Sequence, residues 1–476
     1  MRAPKPSRTL AAAIALAAIA VLAYAPRAAA QQPAAPTGVC HLEFQGQPTG
    51  RVTSIKTASG GYNTFLGGGG WTARCPAQNI VLQADSLEYF DDTRVVHLFG
   101  HVHYTEPRLE LTSELLTYWM SEERLRAEGS VDARFPSGST LRGPLVDYYR
   151  AVPQLRPVAR MVAPQRPTIE LAAHDSTGAP AAPTLVVANT VVSEADSLVY
   201  ASGQVDITRP DLVAHSDSAF MDSGTEFARL IGHPEIHGTG ERPFTLTAVG
   251  VDLQSRQRVL EHVLASGTGR LVSEDLTMTG DTLSFTFADG KMERVFSWGP
   301  GGAHAFSPTY DLVSDSMDIV MPGQRLREVR AVTGAFARSV PDSVAVHTTE
   351  RDWLRGDTIV ATFDTLGNEA GAAGSGHDTT GTASADTARN RPVLTGLTAQ
   401  GNARSFYHFA PSDRTATAPA INYVRGRVIT ITFAQRQVER VDVLDKSEGV
   451  YLDPRAPGDT VRTDSTVATP PGSARP

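Results

Sequence analysis

The sequence predicts an all-β protein, an array of short antiparallel strands stacked or rolled on one another. Two observations lead there. Apolar residues recur at every second position in runs of about five to eight, separated by Gly, Asp, Ser and Pro, which is how half-buried strands read. A unit also recurs at fixed spacing: Gly100 and Gly129 stand 29 residues apart, and so do Gly203 and Gly232. A period of about 20 to 50 residues with strands inside it implies units that bury their apolar faces on their neighbours.

The unit is clearest in residues 84–135. It opens Ala84-Asp85-Ser86-Leu87-Glu88-Tyr89, crosses Asp91-Asp92, and runs through Val95 to Phe99 into Gly100-His101-Val102-His103-Tyr104. A second pass follows, in which Leu109 to Tyr118 answers the first Leu-Glu-Tyr and Gly129-Ser130-Val131-Asp132-Ala133-Arg134-Phe135 answers the Gly-His-Val. Leu141 to Tyr148 is a third copy of the leucine-tyrosine strand. The pattern returns as Ala195-Asp196-Ser197-Leu198-Val199-Tyr200, Gly203-Gln204-Val205-Asp206-Ile207 and Leu212 to Phe220.

This order, A-D-S-L-x-Y, a short acidic turn, G-x-V, then L-x-x-x-x-x-L-x-Y, resembles the OstA-like family. Its members are the periplasmic lipopolysaccharide-transport proteins and the amino-terminal domain of their outer-membrane partner. The resemblance implies twisted β-jelly rolls, here two in tandem, that hold acyl chains inside and join edge to edge.

Residues 1–30 read as a secretory signal. Arg2, Lys5 and Arg8 precede an apolar run from Leu10 to Tyr24, and Ala28-Ala29-Ala30 offers a small-residue cleavage site. The run is short and wrongly flanked for a membrane span, and no later segment has about 18 consecutive apolar residues. The expectation is a soluble mature chain in the periplasm, associated with the outer membrane. Loss of the signal removes Arg2, Lys5, Arg8 and Arg27 and no acid, so the mature chain is more negative than the formal -8 of the whole. That balance argues against nucleic acid, which needs a basic stripe. Only four lysines occur, Lys5, Lys56, Lys291 and Lys446, so a lipid phosphate would meet arginine.

Residues 31–78 read as a loop-rich cap around Gly60-Gly61 and Gly67-Gly68-Gly69-Gly70. Cys40 and Cys75 are the only cysteines, and export favours a disulfide between them over free thiols or metal ligands. The first array is expected over 79–297, interrupted at 153–183 by a proline-rich excursion with Pro153, Pro157, Pro164, Pro167, Pro180 and Pro183. A break at Trp298-Gly299-Pro300-Gly301-Gly302 opens a second array over 298–453. Within it, Gly367 to Arg391 is a Gly/Ala/Ser/Thr/Asp tract that reads as a mobile loop, and Val428 to Phe433 is a clean alternating strand. The tail, 454–476, is expected to be disordered. An outer-membrane barrel is not expected, because the carboxyl end is polar and its strands are short.

Signals for chemistry are sparse. His97, His101 and His103 lie close together, and the last two share a strand face on which imidazoles could meet a metal. No third ligand is evident, and the repeat fills their positions elsewhere with Gln204 and Asp206. Asp311, Asp315 and Asp318 lack the spacing of a calcium repeat. No catalytic elbow, zinc helix or reactive-cysteine context occurs. Asp85, Asp196, Asp217 and Asp281 stand one per repeat at strand starts, where Asp commonly forms a turn with its own backbone.

The informative feature is the apolar face of Val102, Tyr104, Leu109, Leu111, Leu116, Tyr118, Val131, Phe135, Val205, Ile207, Leu212 and Phe220. Leu109, Leu111 and Leu115 have one parity and Leu116 and Tyr118 the other, which predicts a bulge between them. By resemblance, this face would line a groove for lipopolysaccharide or a similar acylated glycolipid, at about 0.8 kcal/mol per buried methylene. Other jelly-roll envelope proteins, or a second copy head to tail, would pair with the open edges. No enzyme activity, metal or cofactor is expected. The alternatives are a ligand-free envelope scaffold with a filled core, or a β-solenoid enzyme acting on polysaccharide.

Overall fold

The structure, a computed structural model, describes residues 40–454 except 47–48, 154, 175–178, 196, 240–242, 258, 274–275, 342–345, 347, 366–391, 413–417 and 435–436. The signal sequence, Asp196, the tract from Gly367 to Arg391 and the tail beyond Pro454 lie outside the described residues. Within them the chain forms 32 strands in one hydrogen-bonded sheet, with two short 3-10 turns, Pro76–Gln78 and Pro322–Gln324. The fold is all-β and antiparallel, as the alternating pattern predicts.

The long strands bend. Val95–Glu106 pairs through Val95 to Phe99 with Leu115 to Trp119, skips a register, and continues through Val102 to Glu106 against Leu109 to Ser113. On its other side the two halves have different neighbours, Ser86–Phe90 for the first and Ile80–Ala84 for the second. The same skip divides Leu198–Thr208, Val259–Ser273, Lys291–Phe306 and Pro392–Phe409. The result is two walls joined along a crease. The first wall holds Ser86–Phe90 and the second holds Ile80–Ala84; their hairpin turns form two facing lips.

The crease explains the spaced glycines. Gly100 and His101 both have positive φ (72° and 43°), as do Gly129 with Ser130, Gly203 with Gln204, and Gly232 with His233. Two successive left-handed residues insert a bulge and turn the strand, and glycine takes the first position at no steric cost. The two inserted residues keep parity in the bulged strand, where Val96, Leu98, Val102 and Tyr104 are all buried, while the partner strand changes parity at the bend, so that both walls point their apolar faces inward. In Leu109–Trp119 the buried residues are Leu109, Leu111 and Ser113 before the bend and Leu116 and Tyr118 after it, while Leu115 is exposed. The bulge predicted between Leu115 and Leu116 lies just ahead of them, between Thr112 and Leu115.

Several expectations need correction. The 31–78 segment is not mainly loop, because Glu43–Gly46, Arg51–Lys56, Tyr62–Gly67 and Trp71–Cys75 extend both walls, and the glycines connect them. Residues 153–183 are not an excursion either: Arg160–Pro164, Thr168–His174 and Pro180–Val187 are rungs of the walls. Proline is tolerated there because Pro164 ends a strand, Pro180 begins one, and Pro183 falls where the register shifts opposite Leu171 and Ala173. Trp298 to Gly302 is a wide bulge inside Lys291–Phe306 at the crease, and the ladder continues on both sides. Buried side chains instead group into two clusters that overlap in sequence, one from Cys40 to Ala361 and one from Ala331 to Ile431.

Candidate functional site

The space between the walls is lined by the residues the sequence singles out. Val102, Tyr104, Leu109, Leu111, Leu116, Tyr118, Val131, Val205, Ile207 and Leu212 are all buried. All but Leu116 and Tyr118 belong to the second wall; facing them, the first wall adds residues the sequence reading did not single out, among them Val96, Leu98, Leu125 and Val146. Phe135 lies past its strand's end, half-buried against the core. Phe220 is a correction: it points outward and packs its ring 5.1 Å from the half-exposed Tyr200, because the bend after Ser216 turns Ala219 and Met221 inward instead.

Farther along, an apolar cavity lies between the walls, lined by Leu212, Ile236, Phe244, Leu253, Val263, Phe285 and neighbours. Its free volume of about 10 Å³ is at the threshold for a single water. At this point the interior is therefore filled by its own side chains.

The lips at the amino-terminal end are joined by a buried polar cluster that the sequence did not reveal. Arg150, 6% exposed, follows the first-wall half of the bent strand Thr140–Tyr149. Its Nε donates to Glu106 Oε2 at 2.7 Å and its Nη1 donates to Gln78 Oε1 at 2.7 Å, both on the second-wall lip. The same Nη1 donates to Glu123 Oε2 at 2.6 Å on the first-wall lip. Tyr118 Oη donates to Glu123 Oε2 at 2.7 Å, Gln78 Nε2 donates to Glu123 Oε1 at 3.1 Å, and Tyr148 Oη donates to Glu106. Tyr104 Oη, fully buried beside them, has no hydrogen-bond partner among the described residues.

Electrostatics follow from this burial. Burial alone would lower the Arg150 pKa, but its charged hydrogen bond to Glu106 and the polar side chains around it outweigh this and hold it above the arginine range. Burial pushes the Tyr104 and Tyr118 hydroxyls well above the tyrosine range. The disulfide Cys40–Cys75, with Cα atoms 5.4 Å apart, anchors the chain next to the Pro76–Gln78 turn that supplies Gln78. The one signal in the sequence was an acid or amide near three turns, at Gln78, Glu106 and Glu123, unreadable as a set with Arg150 because the four positions are far apart.

Other singled-out residues are dispersed. His101 Nδ1 lies 2.8 Å from Asp85, His103 Nε2 lies 2.9 Å from Glu110, and His97 Nδ1 lies 3.0 Å from Thr117. The left-handed bulge at His101 separates it from His103, and among the described residues no group of three metal-ligating side chains forms. Asp311 pairs with His304 and Arg338, and Asp318 with Arg294, while Asp315 N donates across the crease to Thr333 O. Asp85, Asp217 and Asp281 are not turn formers: they stand on the crease, each over a glycine of a following strand, namely Gly100, Gly232 and Gly299. No family model matches the chain, and a search of curated proteins finds no match.

Proposed function

We propose that this protein is an exported, non-enzymatic carrier that binds lipopolysaccharide or a similar acylated glycolipid between its two walls and takes part in its transport to, or assembly at, the outer membrane. The observation that carries the reading is the apolar interior. It runs from rung to rung through both walls and ends, among the described residues, at strands paired on one side only. Those are Glu43–Gly46 and Arg51–Lys56 at one end, and Gln437–Leu444 and Glu448–Leu452 at the other. Val52 and Ile55 on one edge and Val450, Tyr451 and Leu452 on the other are more than half exposed. Such edges favour strand addition by another jelly roll or by a second copy head to tail, which would extend the interior across the junction.

One observation favours a second reading, a scaffold without ligand: the cavity lined by Leu212, Ile236 and Phe285 is no larger than a water. A carrier of this build must part its walls to load. A polysaccharide enzyme is disfavoured because Asp85, Asp217 and Asp281 are spread along the crease, each over its own glycine, rather than converging.

The test is a native mass spectrum of protein purified from the envelope fraction, repeated after mild lipid extraction. A bound mass that is lost on extraction and fragments to acyl chains supports the carrier. The same unliganded mass in both spectra, with no uptake of added acyl lipid, moves the assignment to the scaffold.

A further inference from the structure

The Arg150 cluster is a poor way to fill the end of a β core. One guanidinium serves two carboxylates, Glu106 and Glu123, and the Tyr104 hydroxyl is buried without a partner among the described residues. Apolar side chains of similar volume commonly stabilise such a position as well or better, because buried charges forfeit their hydration. What the cluster does have is direction. The bonds from Arg150 to Glu106 and to Gln78, from Tyr148 to Glu106, and from Gln78 to Glu123 each cross from one lip to the other. Arg150 is itself fixed to its own lip, where its N–H donates to Glu123 O at 2.9 Å and its carbonyl accepts from Arg156 Nη1 at 2.7 Å.

Polar lips differ from apolar ones in what happens when they part. Separated charged groups regain water, so opening exposes no new apolar rim at that line, and the bonds can re-form on closure. The geometry is that of a fastening that can be undone.

We propose that Arg150 is a latch that holds the two lips shut over the amino-terminal end of the roll, and that its release lets the walls separate there. The latch does not depend on what the protein carries. Its use, to control loading of an acyl chain, rests on the carrier reading above. The Cys40–Cys75 disulfide, by fixing the turn that supplies Gln78, keeps the second-wall half of the latch in place.

The test places spin labels on the two lips through Arg108→Cys and Ser121→Cys, in the full chain with the native disulfide, and measures their separation by pulsed electron resonance. The intact latch should give one narrow distance. In Arg150→Met/Glu106→Gln, which removes the cation and its cross-lip partner together, the distribution should broaden and move to longer distance. Should that double variant fail to fold, Glu106→Gln alone keeps Arg150 paired with Glu123 while removing the charge across the lips, and a smaller lengthening is expected. A folded variant with an unchanged narrow distance overturns the proposal and leaves the cluster a stabiliser only. A pyrene-labelled acyl chain, added to the same proteins, should be taken up faster by the unlatched form. Lengthened distances with no uptake by either form would support the latch and count against the carrier.

Discussion

The Asp85 carboxylate occupies the space that a side chain on Gly100 would need, and the Asp85 N–H donates to Gly100 O at 3.0 Å. The relationship recurs along the crease, with Glu114 over Gly129, Asn189 over Gly203, Asp217 over Gly232 and Asp357 over Gly401. Gly100→Ala should therefore cost on two counts: a left-handed φ, about 1–2 kcal/mol for a non-glycine residue, and a clash with Asp85. The second term is removable. Urea titrations of Gly100→Ala, Asp85→Ala and the double variant should show the double variant less destabilised than the two single losses combined. Simple additivity would mean that the carboxylate and the glycine do not meet in solution.

Two tyrosines at the latch should respond in opposite ways to loss of a hydroxyl. Tyr118 donates to Glu123, so Tyr118→Phe should lower stability by about 1.5–3 kcal/mol, as expected for a bond to a charged group. Tyr104 has a buried hydroxyl without a partner among the described residues, so Tyr104→Phe should be neutral or stabilising, by up to about 1 kcal/mol. Thermal unfolding of the pair decides it. An equal loss in both would show that Tyr104 has a partner in solution, most simply a bound water.

The disulfide closes a 35-residue separation. On the chain-entropy account its loss should cost about 3–4 kcal/mol. Denaturant midpoints of the oxidised protein and of Cys40→Ala/Cys75→Ala measure this, and the strands Glu43–Gly46 and Trp71–Cys75 should lose amide protection first.

Asp147 provides an acid-sensitive element. Burial would raise its pKa, but hydrogen bonds from Arg126 and Arg124 outweigh this and hold it below the usual aspartate value of 3.8. A carboxyl depressed on folding adds stability that is fully present above the unfolded value and is lost as pH falls through the folded one. The stability gap between the wild type and Asp147→Asn should thus be constant at neutral pH and close progressively below about pH 4. A gap that widened with acid would reverse the sign and refute the assignment.

The all-β class and the repeat were legible because two signals do not depend on contacts: alternation of apolar residues, and the 29-residue interval between glycines such as Gly100 and Gly129. The second wall was largely legible as well, since Val102, Tyr104, Leu109 and Leu111 keep one parity within each half-strand. The first wall was less so. In Leu109–Trp119 and Leu212–Asp222 the bend changes parity without changing composition, and a glycine that creases a strand looks the same in sequence as one that ends it. That is why Gly299 to Gly302 read as a boundary and Phe220 as interior. Pro183 misled for a related reason, because a proline at a register shift forfeits no ladder bond. The latch was out of reach, since Gln78, Glu106, Glu123 and Arg150 meet only once two walls face each other.

Because neighbouring rungs are held together by hydrogen bonds set across the strands, the direction from one open edge to the other is the direction in which those bonds stretch. A tug between the edge at Arg51–Lys56 and the edge at Glu448–Leu452 would load the rungs one after another rather than all at once. The molecule should peel from its ends like a zipper under low force, with the disulfide and the Arg150 latch as the points where peeling from the amino-terminal side stalls.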